Sequence, residues 1–314
     1  MSTATKVPET WKLTGDDARE TLMRTGRQRL LRDAFVRLRA ADGFSHARSL
    51  AFVTSLVLVQ GLIAVVGFTT AFDIRIGREI VAAIQSAVPG PAGEILTDAV
   101  AQARKVGVHH RYLPLLLGLV GTLVTGTTAM GQIERGFNRI YGIERDRPTV
   151  EKYGRAFVLT VGAGSGLALA FLIFALGRQS DTANSFLSAT WPWVRWPLGL
   201  LVAMVALAAL LRFSPFRRQP AWSWLLFGAA ACVTGWVVVT VGLGIALNLS
   251  SSFGKTYGPL AGIVALQLWT LFSAIAIFYG AAVAAQLEAV RAGSPQPRAH
   301  AEEPRPRTKT SYAS

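Results

Sequence analysis

The sequence predicts an all-α protein, a polytopic membrane helix bundle with about six transmembrane helices plus an external amphipathic helical hairpin. Three observations predict it. Over 314 residues the hydrophobic fraction is 51% against 16% charged, a balance unlike that of soluble domains. Charge is missing from long blocks: Ala221 to Gly254 contains no Asp, Glu, Lys or Arg, and neither does Thr256 to Leu287. The Lys and Arg residues crowd into alternate connections, as the positive-inside rule requires. A charge at the centre of a helix in hydrocarbon costs roughly 2.5 to 3.5 kcal/mol on insertion scales, so insertion empties the spans of charge where packing in water would not.

Residues 1–48 read as a cytoplasmic basic arm, loose at first and then carrying Arg24, Arg27, Arg29, Arg32, Arg37 and Arg39 among Leu30, Leu31, Phe35 and Leu38. That spacing predicts a basic amphipathic helix on the inner leaflet. The transmembrane domain covers 49–288, with spans at about 49–72, 112–133, 156–176, 193–211, 221–247 and 258–287. Between the first two spans, 73–111 form the external hairpin. Ile76, Ile80, Ile84 and Val88 recur every fourth residue, Pro89-Gly90-Pro91 interrupt, and Ile95, Leu96, Ala99, Val100 and Ala103 begin a second stripe. Gly162 and Gly166 in the third span, and Gly228, Gly235 and Gly242 in the fifth, predict close helix contacts. Trp191, Trp193, Trp196, Trp222 and Trp224 mark headgroup levels. Residues 289–314, rich in Pro, Arg, Ser and Ala, read as a disordered cytoplasmic tail. The arm lacks the apolar stretch of a signal peptide, so no cleavage is expected. About 24 of the 32 Lys and Arg residues fall on the side that holds both termini. The expected location is therefore the inner (plasma) membrane, with both ends in the cytoplasm.

The net charge of +14 is distributed as for contact with anionic lipid at the cytoplasmic face. The aromatic and basic strips of a nucleic-acid platform are missing, so no nucleic-acid partner is expected. The pattern leaves a homo-oligomer open and names no protein partner. Cys232 is the single cysteine, His46, His109, His110 and His300 are scattered, and the carboxylates do not cluster. No catalytic residue, metal or cofactor is predicted, and the chain reads as a non-enzyme. Uncharged polar residues in the spans, Gln60, Thr128, Gln132 and Gln267, are candidates for a substrate path, with interhelical hydrogen bonding as the competing role. Glu134, Arg135, Asn138, Arg139, Arg147 and Arg212 are candidates for a cytoplasmic gate or headgroup site, against a plain salt-bridged helix end. A transporter or exporter is the leading expectation, and a non-transporting scaffold that binds lipid or partner proteins is the alternative.

Leu211-Arg212-Phe213-Ser214-Pro215, Trp222, Phe227-Gly228-Ala229, Tyr257-Gly258-Pro259-Leu260-Ala261-Gly262, Leu268-Trp269 and Tyr279-Gly280-Ala281 together resemble the YihY/BrkB family, once labelled ribonuclease BN. Ile133-Glu134-Arg135-Gly136-Phe137-Asn138-Arg139-Ile140-Tyr141, with Arg147, is similar to that family's loop after its second span. The resemblance implies a six-span inner-membrane protein described as a transporter or exporter, with Pro215, Gly228, Tyr257, Gly258, Trp269 and Gly280 as structural motif residues. The family commonly has Gly-Ala-Glu near the end of its last span, where this chain has Gly280-Ala281-Ala282.

Overall fold

The computed structural model describes residues 3–72, 77–175, 185–249 and 260–299. Among them ten helices follow in order: α1 (Gly15–Thr25), α2 (Arg27–Ala40), α3 (Gly43–Ala71), α4 (Gly77–Ala87), α5 (Gly90–His109), α6 (Leu113–Ile140), α7 (Thr149–Ala175), α8 (Ser185–Phe213), α9 (Trp222–Leu249) and α10 (Ala261–Arg291). Among the described residues five stretches are long and apolar enough to cross a membrane: Gly43–Ala71, Leu113–Ile140, Trp193–Phe213, Trp222–Leu247 and Ala261–Arg291. Even the shortest reaches about 30 Å at 1.5 Å per residue. The third span read from the sequence lies on α7, which is free of charge from Ala156 onward and packs between α6 and α8.

The long helices form a closed ring in which α3 touches α6, then α7, α8, α9 and α10 follow, and α10 returns to α3. Apolar burial gives little drive between helices in lipid, so small residues set how near they come. On the α3–α6 seam, Gly67 faces the backbone of Pro114 and Leu115, and Gly118 faces that of Ile63 and Ala64. On the α9–α10 seam, Gly228 faces Gly280 and Ala284, and Gly280 faces Cys232. Gly166 meets Ala206 of α8, and Gly235 meets Ala276 of α10. The sequence expectation fails at Gly162 and Gly242, which have no neighbour within 4 Å of an added Cβ among the described residues; a glycine marks a close contact only where a helix stands opposite it.

The hairpin docks as its periodicity suggests. Ile80, Ile84, Val88, Leu96, Val100 and Ala103 are buried, α5 lies against α3 and α10, and α4 bridges to α7. The chain reverses between α4 and α5 at Gly90, where φ is +47°, a conformation open to glycine without a Cβ clash. Ile76 lies outside the described residues.

At the opposite end, which holds both termini, the structure corrects two expectations. The first residues are not loose: Val7 is buried, its N–H bonds the Tyr141 carbonyl, and Thr3 N–H bonds Ala40 O. The chain passes so near the turn after α6 that Gly142, at φ +71°, faces the backbone of Thr5 and Lys6. The tail is not free from Ala289: α10 runs to Arg291, Gln286 bonds Pro295 O, and Thr5 and Ala299 N–H bond Pro297 O and Thr3 O. Backbone pairing supplies order here that the apolar pattern did not announce. The rest of the tail, 300–314, lies outside the described residues.

Packing differs along the ring axis. At the terminal end every residue of α10 from Gly280 to Ala289 is buried. Toward the hairpin, no residue is buried in α3 from Leu56 to Val65, in α6 from Leu119 to Thr125, or in α9 from Val233 to Leu247.

Candidate functional site

The terminal end of the ring holds two buried charge clusters with an aromatic contact between α6 and α10. α6 continues past its apolar stretch, so Glu134 and Asn138 fall on its inward face and are fully buried. The connection after α6 returns Arg147 to them. Arg147 Nη1 stands 2.9 Å from Glu134 Oε1, but donates to the Ser214 carbonyl at 2.8 Å, while Nη2 donates to Pro215 O at 2.9 Å. The Glu134 carboxylate is thus paired by charge and keeps unused acceptor capacity among the described residues. The Arg147 guanidinium also lies 4.9 Å from the centre of the Phe216 ring, within cation–π range.

Asn138 joins two connections: its Oδ1 accepts from Phe216 N–H at 2.8 Å and its Nδ2 donates to Asp146 Oδ1 at 3.1 Å. Lys152 pairs with the other Asp146 oxygen at 3.3 Å. Burial disfavours the Asp146 charge, but the Asn138 bond and Lys152 outweigh it and hold the carboxyl below its usual range. Beside this cluster, the Phe137 and Phe278 rings meet edge to face at 5.9 Å.

The second cluster was not foreseen. Glu288, in the last turn of α10, pairs with Arg217 at 2.7 Å, and both are fully buried. Thr10 donates to Glu288, Arg217 donates to Pro8 O, and the Arg217 guanidinium lies 4.6 Å from the Tyr141 ring centre. Arg37 of α2, expected at the inner leaflet, is instead fully buried. It donates to Gln286 Oε1 at 2.8 Å, Thr5 O at 2.8 Å and Ile140 O at 3.2 Å. Burial lowers its pKa to about 10, partly opposed by Tyr141 and Glu288. Burial, and next Glu288, raise the Tyr141 hydroxyl above its usual range. One sequence signal pointed here: Arg37 follows Leu30 by seven residues and Ala34 by three, on the buried stripe.

The other candidates divide. Arg135 is exposed and 3.8 Å from Asp146, Arg139 bonds the Ile143 and Glu144 carbonyls, and Arg212 bonds Pro220 O beside the Trp222 ring. Gln60 accepts from Thr125 of α6 at 2.8 Å, and Gln267 of α10 donates to Ser55 of α3 at 3.1 Å, so both lie on seams of α3. Thr128 is exposed and bonds Val124 O, and Gln132 is half-buried. Among the motif residues, Pro215 receives Arg147, Gly228 and Gly280 face each other, and Trp269 donates to Thr240 at 3.1 Å and meets Trp236 edge to face. Tyr257 and Gly258 lie outside the described residues. Ala282, where the resemblance leads one to expect Glu, is fully buried. The described carboxylates inside the long helices are Glu134 and Glu288 at the terminal end, and Glu151 in the first turn of α7.

The ribonuclease-like protein YfkH of Bacillus subtilis is 24% identical over 82% of this chain and 94% of its own length. UPF0761 membrane proteins of Xanthomonas campestris and Xanthomonas axonopodis are 26% and 27% identical, each over 79% of this chain. The chain spans 58% of the length of these Xanthomonas relatives. No solved structure matches it. The family described as Virulence factor BrkB matches residues 34–305, and on this match the chain, an integral membrane protein, belongs to the BrkB family.

Proposed function

We propose that this protein is a transporter or exporter whose path runs within the helix ring and is closed at the end bearing both termini. The observation that carries the reading is the contrast along the axis: α10 is completely buried from Gly280 to Ala289, while α3, α6 and α9 have unburied stretches nearer the hairpin. A path needs a seal and a space, and buried ion pairs suit a seal because each partner is costly to leave alone. Gln60, Thr128, Gln132 and Gln267 are the proposed polar lining, with Gln60 and Gln267 acting where α3 meets its two neighbours. Glu134, Asn138 and Arg147 are the proposed gate. The excess of Lys and Arg at the terminal end supports placing that end in the cytoplasm of an inner-membrane protein. The name of the Bacillus relative raises RNA cleavage as a rival. A metal-dependent nuclease gathers several ligands around its ion, and no group of three His, Cys, Asp or Glu converges among the described residues.

The test is solute movement in liposomes containing the full chain, after osmotic steps of glycerol, potassium chloride or potassium phosphate. The reading expects at least one solute to cross faster than in protein-free liposomes. It also expects Gln267→Leu to change that rate without lowering the unfolding temperature by more than a few degrees. Rates equal to protein-free liposomes for all three solutes contradict it and favour the scaffold alternative.

A further inference from the structure

Where α1 turns into α2, a groove of about 450 Å³ opens against α9, lined by Arg19, Leu22, Met23, Gly26, Arg27 and Phe227. The chain reverses there at Gly26, whose φ is +83°, and an added Cβ would meet nothing within 4 Å.

The charges around the groove are unevenly matched. Asp17 and Glu20 of α1 are both engaged by Arg291, and Glu20 also by Arg24. Arg19 and Arg27, both exposed, have no ion-pair partner among the described residues. Two unpaired guanidiniums therefore line the groove together with Leu22, Met23 and Phe227. Phe227 follows the exposed Trp222 by five residues, which sets it about 7.5 Å farther along α9. Tryptophan favours the headgroup level, so the groove leads from that level toward hydrocarbon. Arg27 shares a face of α2 with Leu31 and Phe35, at four-residue steps, and both apolar side chains are exposed. This surface suits an acyl chain better than water.

We propose that the groove binds one anionic phospholipid of the surrounding bilayer, its phosphate between Arg19 and Arg27 and its first methylenes on Leu22, Met23 and Phe227. Guanidinium matches phosphate through paired N–H donors. A zwitterionic headgroup would bring a further positive charge toward two unpaired ones, so the site selects an anionic headgroup. The proposal stands apart from transport, since a scaffold could hold the same lipid.

The experiment is native mass spectrometry of the full chain in detergent, titrated with phosphatidylglycerol or phosphatidylcholine. One phosphatidylglycerol is expected to bind more tightly than phosphatidylcholine. The double variant Arg19→Gln/Arg27→Gln is expected to bind it about thirtyfold more weakly. Arg29→Gln/Arg32→Gln removes equal charge elsewhere on the exposed side of α2 and is expected to keep the lipid. All four arginines are exposed, so unfolding temperatures stay within a few degrees. Equal binding by the Arg19/Arg27 variant overturns the proposal, as does equal loss in the Arg29/Arg32 variant, which would mean diffuse charge attraction. Phosphatidylcholine binding as tightly as phosphatidylglycerol overturns it as well. Displacement of the lipid by glycerol 3-phosphate at matching concentration overturns it in favour of a soluble phosphate ligand.

Discussion

The two halves of the helix ring are built differently. At the terminal end the side chains of Phe137, Phe278, Glu134, Arg147, Arg217 and Glu288 are buried among α2, α6, α10 and the connections that follow α6 and α8. Toward the hairpin α3 and α6 meet through Gly67, Gly118 and the Gln60–Thr125 bond, and α3, α5 and α10 enclose a smaller apolar cluster with Val66, Leu96, Val100, Leu266 and Trp269. Charge that could not be tolerated at mid-membrane is concentrated where connections and the N-terminal segment fold back to satisfy it.

The largest expected effect tests the terminal end. Arg217→Ala or Glu288→Ala leaves a buried charge unpaired and is expected to cost about 3 to 5 kcal/mol, read from unfolding in detergent. The double variant Arg217→Met/Glu288→Leu is expected to cost less than either single change, because no charge is stranded. A double variant as damaged as the singles would show that shape, rather than charge, dominates there.

Glycine substitutions compare a packed helix seam with an open helix face. Gly280→Ala must push against Cys232 and the Gly228 backbone, which is expected to cost about 1 to 3 kcal/mol. Gly242→Ala meets nothing and is expected to stay within about 0.5 kcal/mol of the parent. Equal losses at the two positions would erase the contrast. Smaller than the Gly280 effect, Gln60→Leu removes one interhelical bond and is expected to cost about 0.6 kcal/mol, measured by the same unfolding experiment.

Acid gives the most graded test. Because its folded-state pKa lies below the ordinary 3.8, Asp146 contributes stability that is full above that value and lost as pH falls through the folded pKa. Asp146→Asn is expected to flatten the acid limb of a stability profile. An unchanged limb would assign the loss to other groups.

The fold class was readable because hydrocarbon excludes charge so strongly that Ala221 to Gly254 and Thr256 to Leu287 announce themselves. The hairpin was readable from isoleucines four residues apart. Glu134, Asn138 and Arg147 were readable as a polar group, though not as a buried one, since burial depends on how the connection folds back. Glu288, Arg217 and Gln286 were missed: they come together from α10 and the α8–α9 connection, and no local spacing encodes that meeting. Arg37 carried a signal in its place on the Leu30–Ala34–Leu38 stripe, but a run of neighbouring arginines made it resemble a solvated face. The order of residues 3–7 and 295–299 rests on backbone hydrogen bonds, which leave little trace in side-chain pattern.

The most direct test is thiol accessibility in liposomes of a Cys232→Ala protein carrying one new cysteine at a time, probed with a membrane-impermeant cationic methanethiosulfonate from the hairpin side. Gln60→Cys and Gln267→Cys are expected to react, and Ala282→Cys, in the sealed end, is expected to remain unmodified over the same time. Inert cysteines at both glutamine positions, or an Ala282→Cys that reacts as fast as they do, would contradict a bundle open in one half and closed in the other.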